Sequence, residues 1–368
     1  MIVETDNLAL ACPLPLTDYE QVLLGHGSGG RLTADLIERV FLPAFGNDVL
    51  AALEDQATVS LHDQPCNSNG QRNGSTSHAD RLAFTTDSYV VNPLFFPGGD
   101  IGKLAVHGTV NDLAVGGAVP QFLSAAFILE EGFAIDDLRR IVASMRDACQ
   151  EANVTLVTGD TKVVDRGKGD QVYIVTSGIG RVPAARQLSI RNVRPGDRIV
   201  VSGTIGDHGI AVMSLREGIE FETVLESDTA PLHDLTRVML DACPSVRWMR
   251  DPTRGGLSSA LNELAKAARV GVKLNEAAVP IRGEVRAACE MLGLDPLYVA
   301  NEGKLIAAVP ADHAEEMLTV MHRHPLGRNA ALIGEVVGDH PGMLVERTVL
   351  GGERVVTMLA GEQLPRIC

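Results

Sequence analysis

A chain of 368 residues, 45 % hydrophobic and 21 % charged, is long enough for two domains with substantial cores. Its formal charge of -15 excludes bulk electrostatic binding to nucleic acid or to an anionic membrane, since both require a basic surface. No charged segment precedes an apolar one near Met1, and no apolar run approaches the ~20 residues needed to cross a bilayer, so a cytoplasmic protein is expected.

In chain order, residues 1–21 read as an N-terminal extension, 22–190 as a first α/β domain, 191–350 as a second, and 351–368 as a hairpin end followed by a mobile tail. A short strand over 22–24 leads through Gly25-His26-Gly27-Ser28-Gly29-Gly30 into a helix over 32–41. The glycines satisfy the GxGxxG spacing, yet no clean second parallel strand follows before Asp55, which argues against a dinucleotide site; an anion-holding turn and a plain tight turn both remain open. Residues 61–80, rich in Asn, Ser, Gln, Gly and His, read as a mobile polar insertion.

One plan then appears twice. A strand over 82–86, a helix containing Asn111-Asp112-Leu113-Ala114, a strand over 121–129, a helix over 135–152 and a strand over 154–158 end in Gly159-Asp160-Thr161-Lys162. After the break at Arg194-Pro195-Gly196-Asp197 come a strand over 198–202, a helix containing Asn262-Glu263-Leu264-Ala265, a strand over 272–275, a helix over 284–292 and a strand ending in Asn301-Glu302-Gly303-Lys304. The six cysteines Cys12, Cys66, Cys149, Cys243, Cys289 and Cys368 have no CxxC pair and read as reduced thiols.

Isolated carboxylates at strand ends and helix faces, Asp55, Asp87, Asp112 and Asp160, together suit a hard Mg²⁺ carrying a triphosphate; singly, each suits a cap or a turn. Pro93-Leu94-Phe95-Phe96-Pro97-Gly98-Gly99-Asp100-Ile101-Gly102-Lys103 delivers a helix N-terminus and a lysine, for phosphate or for a subunit contact. Asp251 and Arg254 flank another glycine-rich helix start, with anion-binding and structural readings equally open. A hairpin over 343–349 and 354–359 leaves a free end carrying the terminal thiol of Cys368.

His26-Gly27-Ser28-Gly29-Gly30, Thr85-Thr86-Asp87-Ser88-Tyr89, Gly108-Thr109-Val110-Asn111-Asp112, Thr158-Gly159-Asp160-Thr161-Lys162, Asp251-Pro252-Thr253-Arg254-Gly255-Gly256 and Pro365-Arg366-Ile367-Cys368 together resemble the HypE family of hydrogenase maturation factors, carbamoyl dehydratases of the PurM-like superfamily. The resemblance implies a two-domain α/β (α+β layered) fold of duplicated units with mixed sheets, dimerising through the N-terminal domain, with a flexible C-terminal tail. It implies ATP and Mg²⁺ as cofactors, with Asp87, Asn111, Asp112, Asp160, Gly27 and Gly29 at the nucleotide and Asp55, Asp87, Asp112 and Asp160 at the metal. A HypF-type carbamoyltransferase would load Cys368; phosphorylation of the amide oxygen and loss of phosphate would leave a thiocyanate, passed to a HypC–HypD complex. Lys162 and Glu302, read as ends of corresponding strands, are the expected catalytic companions of Cys368. A superfamily kinase or synthetase acting on a free substrate, and a non-catalytic carrier, are the alternatives.

Overall fold

The computed structural model describes residues 21–60, 81–218, 225–359, 364 and 366–368. The extension expected over 1–21, except its last residue, and the insertion expected over 61–80 lie outside the described residues. The expected strand over 22–24 is absent: Leu24–Gly27 is a 3₁₀ turn. It leads to helix α1, Arg31–Leu36, a π-helical stretch Ile37–Phe41, and α2, Leu42–Phe45.

The first sheet combines β1 (Ala57–Val59), β2 (Arg81–Tyr89), β5 (Val119–Glu130), β6 (Thr155–Val164) and β7 (Val172–Val182) in the order β1-β2-β7-β5-β6. Only β5 and β6 are parallel, joined through α4 (Ile135–Glu151). A two-residue ribbon, β3 (Phe95–Phe96) and β4 (Gly99–Asp100), feeds α3 (Ile101–Val115). The Asp100 carboxylate caps that helix by accepting from the Gly102 and Lys103 amides at 2.7 and 3.1 Å. Helix α4 buries Ile141, Met145, Ala148 and Cys149, an i, i+4, i+7, i+8 stripe packed mainly against α3. Helix α3 is buried on nearly every side, packing on the inner face of the sheet and against the second domain, and its buried polar residues His107, Thr109 and Asn111 are each hydrogen-bonded.

The second domain contains β8 (Arg198–Val201), α5 (Asp207–Glu217), α6 (His233–Ala242), β9 (Trp248–Arg250), α7 (Gly256–Ala268), β10 (Gly271–Asn275), α8 (Gly283–Leu292), β11 (Ile306–Val309), α9 (Ala314–His322), β12 (Ala331–Val337), β13 (Leu344–Arg347) and β14 (Glu353–Val356). The strands order as β14-β13-β10-β12-β8-β11-β9. Helix α7 covers one face, and α6 with α9 the other. That explains runs such as Ile306-Ala307-Ala308-Val309, buried without alternation.

The duplication holds for three strands and two helices. The arrangement β2-β7-β5 recurs as β8-β12-β10, with α3 and α7 after the first strand and α4 and α8 after the next. It fails at the strand after the second helix. In the first half that strand, β6, lies parallel beside β5; in the second, β11 crosses to pair with β8, and β13 takes the place beside β10. The sequence expectation that Lys162 and Glu302 end corresponding strands is therefore corrected: Lys162 lies within β6, whereas Glu302 lies in the loop before β11. The expected free end is likewise found docked, with Ile367 and Cys368 in the apolar core of the first domain.

Candidate active site

Period-two alternation places Thr85, Asp87 and Tyr89 of β2 toward α3. The Thr85 hydroxyl donates to Asp112 at 2.6 Å, and the Tyr89 hydroxyl to Asp87 at 3.1 Å. Gly108 on α3 makes room for that tyrosine: a Cβ there would stand 2.1 Å from the Tyr89 oxygen. Asp251, just after β9, and Asp55, just before β1, complete the wall. Asp55, Asp112 and Asp251 can each offer one oxygen within 4.8 Å of the others.

Burial pushes Asp55 up to about 6 against the nearby Arg250, and Asp251 up to about 8, reinforced by Asp55 and Asp87. Asp112 is held well above the ordinary carboxylate range by burial and then by Asp87. Arg250 is drawn toward the group, contacting Asp55 at 2.8 Å and Glu263 at 2.6 Å. Crowded, enclosed carboxylates that resist ionisation fit a hard divalent cation, whose charge would remove their mutual repulsion.

Four sequence expectations change here. Asp251 joins Asp55 and Asp112 as a metal-ligand candidate; an isolated Asp-Pro turn carries no signal that separates this role from a helix cap. Asp160 lies apart from the other aspartates of its own chain. Asp87 is aligned through Thr176 and Ala125 with Gly159, three strands away, a separation of about 14 Å at ~4.8 Å per strand. Asp160 instead pairs with Lys162 at 2.8 Å on the exposed edge strand, so Lys162 is also remote from this site in its own chain. Asn111 is not free for a nucleotide: its amide nitrogen donates to the carbonyls of Ala230 (3.1 Å) and Glu302 (3.2 Å), and its oxygen accepts from the Leu232 amide (2.7 Å).

Beside Asp87 lies a second centre. Cys368 is 7 % exposed and Glu302 3 %. Burial pushes the Cys368 thiol far up, opposed by Arg254 and reinforced by Glu302 and Asp87. Glu302 is held well above its ordinary range by burial, then by Asp251, Asp228 and Asp87. Its backbone is fixed on both sides, the amide donating to Asp228 at 3.0 Å and the carbonyl accepting from Asn111. Arg254, from the turn into α7, is the cation at the sulfur, the position expected for Lys162. It bonds the Gly27 carbonyl at 3.1 Å. Gly29, at φ +71°, packs so closely that a Cβ would lie 2.8 Å from the Arg254 carbonyl. Gly27 and Ser28 thus roof a cavity of about 140 Å³ that includes Arg254, Tyr298 and Cys368.

The tail reaches this cavity by pairing with the chain beyond β2. The Val90 amide donates to the Cys368 carbonyl at 3.2 Å and the Asn92 amide to Arg366 at 3.1 Å, an antiparallel register. Arg366 returns a bond to the Val90 carbonyl at 3.1 Å and pairs with Asp170.

Two adjoining centres thus define an enzyme of the two-domain α/β class, one rich in carboxylates and one built around a thiol. Comparison with known proteins agrees. Residues 70–182 match the AIR synthase related protein N-terminal domain, and residues 194–345 the C-terminal domain. The carbamoyl dehydratase HypE of Azotobacter vinelandii is 55 % identical over 343 residues, 93 % of this chain and 96 % of that protein. A crystal structure of a HypE–HypF complex superposes with a TM-score of 0.80 at 45 % identity, covering 88 % of this chain and 99 % of that one. A crystal structure of hydrogenase maturation protein HypE in complex with ATP gives 0.76 at 46 %, covering 95 % and 100 %. The chain belongs to the carbamoyl dehydratase HypE family.

Proposed function

We propose that this chain dehydrates a carbamoyl group carried on its own Cys368 to a thiocyanate, with ATP converted to ADP and phosphate. The observation that carries this reading is the terminal thiol docked beside Glu302 and Arg254, against the aspartate cluster. An amide loses its oxygen poorly, and phosphorylating that oxygen turns it into a competent leaving group. Glu302, made a stronger base by its surroundings, is placed to take the nitrogen protons. Arg254 is placed to stabilise negative charge developing at the carbamoyl oxygen. Asp55, Asp112 and Asp251 would hold Mg²⁺, which supplies neutralisation of phosphate charge, with Asp87 adjoining. Gly27 closes the roof over the reacting groups, and Gly29 packs against the Arg254 backbone.

Loading belongs to another state. The docked sulfur is a neutral thiol and a poor nucleophile, so a HypF-type carbamoyltransferase would meet the tail undocked, and a HypC–HypD complex would later accept the cyanide. Self-association is proposed through the outer face of the first sheet. Phe84, Ile179 and Phe122 form an exposed apolar row there, and β6 exposes Leu156, Val157 and Val163 at the edge. Asp160 and Lys162 belong to that contact edge. No described helix is long and apolar enough to cross a membrane, and cytoplasmic residence remains part of the proposal.

The test is the mass of the C-terminal peptide after incubation with a HypF-type carbamoyltransferase, carbamoyl phosphate and Mg-ATP. A carbamoyl adduct on Cys368 that becomes one water lighter when ATP is present is the expected result. An unmodified Cys368, with the transferase shown active on another substrate, overturns the reading.

A further inference from the structure

Helix α5 grips the tail through its backbone carbonyls. At its first turn, buried His208 lies 2.8 Å from the Ile367 carbonyl through Nε2 and 2.8 Å from the Ser227 hydroxyl through Nδ1. A carbonyl only accepts, so Nε2 carries the proton; Nδ1 is then the acceptor and Ser227 the donor. Ser227 Oγ is itself aimed by the Thr229 amide, which donates to it at 3.2 Å. The imidazole also stands edge-on to Phe96, with centroids 5.5 Å apart and planes at 83°. At the other end of α5, Arg216 bonds the Asn92 carbonyl and, at 3.0 Å, the Arg366 carbonyl.

We propose that His208, oriented by Ser227, is a positioning residue that docks the cysteine tail by donating to the Ile367 carbonyl. When the tail leaves, the buried Nε2–H loses this acceptor, so His208 favours the docked state. The grip is blind to what the sulfur carries, because it reads backbone atoms alone. Free, carbamoylated and cyanated tails are therefore held alike, and discrimination between them is left to Glu302 and Arg254. This inference rests on the reading that the docked tail is the reacting form.

Burial of the other described cysteines supplies an internal control: Cys149 lies in the same apolar cluster as Ile367 and Cys368, Cys289 in the same cluster as Ile210 and Ala211 of α5, and Cys243 in a separate cluster of the second domain, so that a general loosening of the core would expose them too. The full-length protein is pulsed with iodoacetamide and the modification rate of each cysteine is read from peptide masses. His208→Phe is expected to raise the rate at Cys368 about tenfold, the equivalent of one well-made hydrogen bond to a buried donor, with the other three unchanged. His208→Gln, which retains an N–H, is expected to restore protection, and Ser227→Ala to fall between. In single turnover, His208→Phe slows dehydration and does not slow carbamoyl loading, which uses the undocked tail. An unchanged Cys368 rate in His208→Phe, or a parallel rise at all four thiols, overturns the proposal. Should His208→Phe fail to fold, an unchanged rate in Ser227→Ala overturns it equally. The alkylation pattern requires no turnover, so a chain that forms no thiocyanate still tests the grip, and an intact grip leaves the dehydratase reading to stand or fall alone.

Discussion

Asn111, on the central helix of the first domain, donates to the carbonyl of Glu302, in the second, at 3.2 Å. Its other two bonds also cross to the second domain, at Ala230 and Leu232. Asn111→Ala strands buried groups on both sides and is expected to destabilise the fold by ~2–4 kcal/mol, visible as a lower denaturation midpoint. Loss of ATP affinity at unchanged stability would instead make Asn111 a nucleotide ligand.

Glu302→Gln keeps the shape of the site and both backbone bonds. Dehydration should fall by about 10²–10⁴ while loading continues, so carbamoylated Cys368 accumulates in the peptide mass spectrum. In the unsubstituted protein the rate should climb with pH through a value well above the ordinary glutamate range, because the base must be ionised. Full activity in the glutamine variant removes Glu302 from the chemistry.

The aspartate cluster ties stability to pH and metal. Asp55 and Asp251 titrate in the folded state at about 6 and about 8, above the ordinary 3.8. Groups raised on folding give a contribution present in full below the ordinary value and lost as pH rises through the folded one. The metal-free protein should therefore lose thermal stability as pH rises from about 3.8, most steeply up to about 6, where both groups contribute, and then more gently to about 8, while stabilisation by Mg²⁺ grows as the carboxylates ionise between about pH 6 and about pH 8. Asp251→Asn should flatten both trends. Thermal unfolding with and without Mg²⁺ decides it, and a metal effect independent of pH would exclude these carboxylates as ligands.

Val157, 58 % exposed on the edge strand, should reveal the proposed self-association. Val157→Asp is expected to weaken a dimer at least tenfold, the effect of ~1.4 kcal/mol, in sedimentation velocity. Identical profiles for the two proteins would place the contact elsewhere.

Much of the architecture was legible because period and punctuation are local properties. The alternation in β2, the stripe of α4 and the Gly351-Gly352 hairpin can all be read from neighbouring residues. The strand after the second helix could not be placed, since nothing within residues 301–309 says which sheet edge they join. The same limit governed the site. Cys368, Glu302, Asp87, Asp112 and Asp55 stood out as residue types in suggestive places, and the structure brings them together. Asp160 and Lys162 looked equally suitable and lie on β6, three strand spacings from Asp87 of the same chain. Arg254 and His208 owe their positions to contacts across more than a hundred residues, with Gly27 and Ile367 respectively.

A thiol that docks against its own chain changes how concentration enters the kinetics. Once loaded, the group to be dehydrated travels with its catalyst, so at saturating ATP the step is first order in protein, and its half-time is the same after a hundredfold dilution. Loading by a separate transferase and discharge to a separate acceptor are collisions between molecules and slow in proportion. At low protein concentration the chain would spend its time waiting for partners, with the chemistry inside it running at full speed.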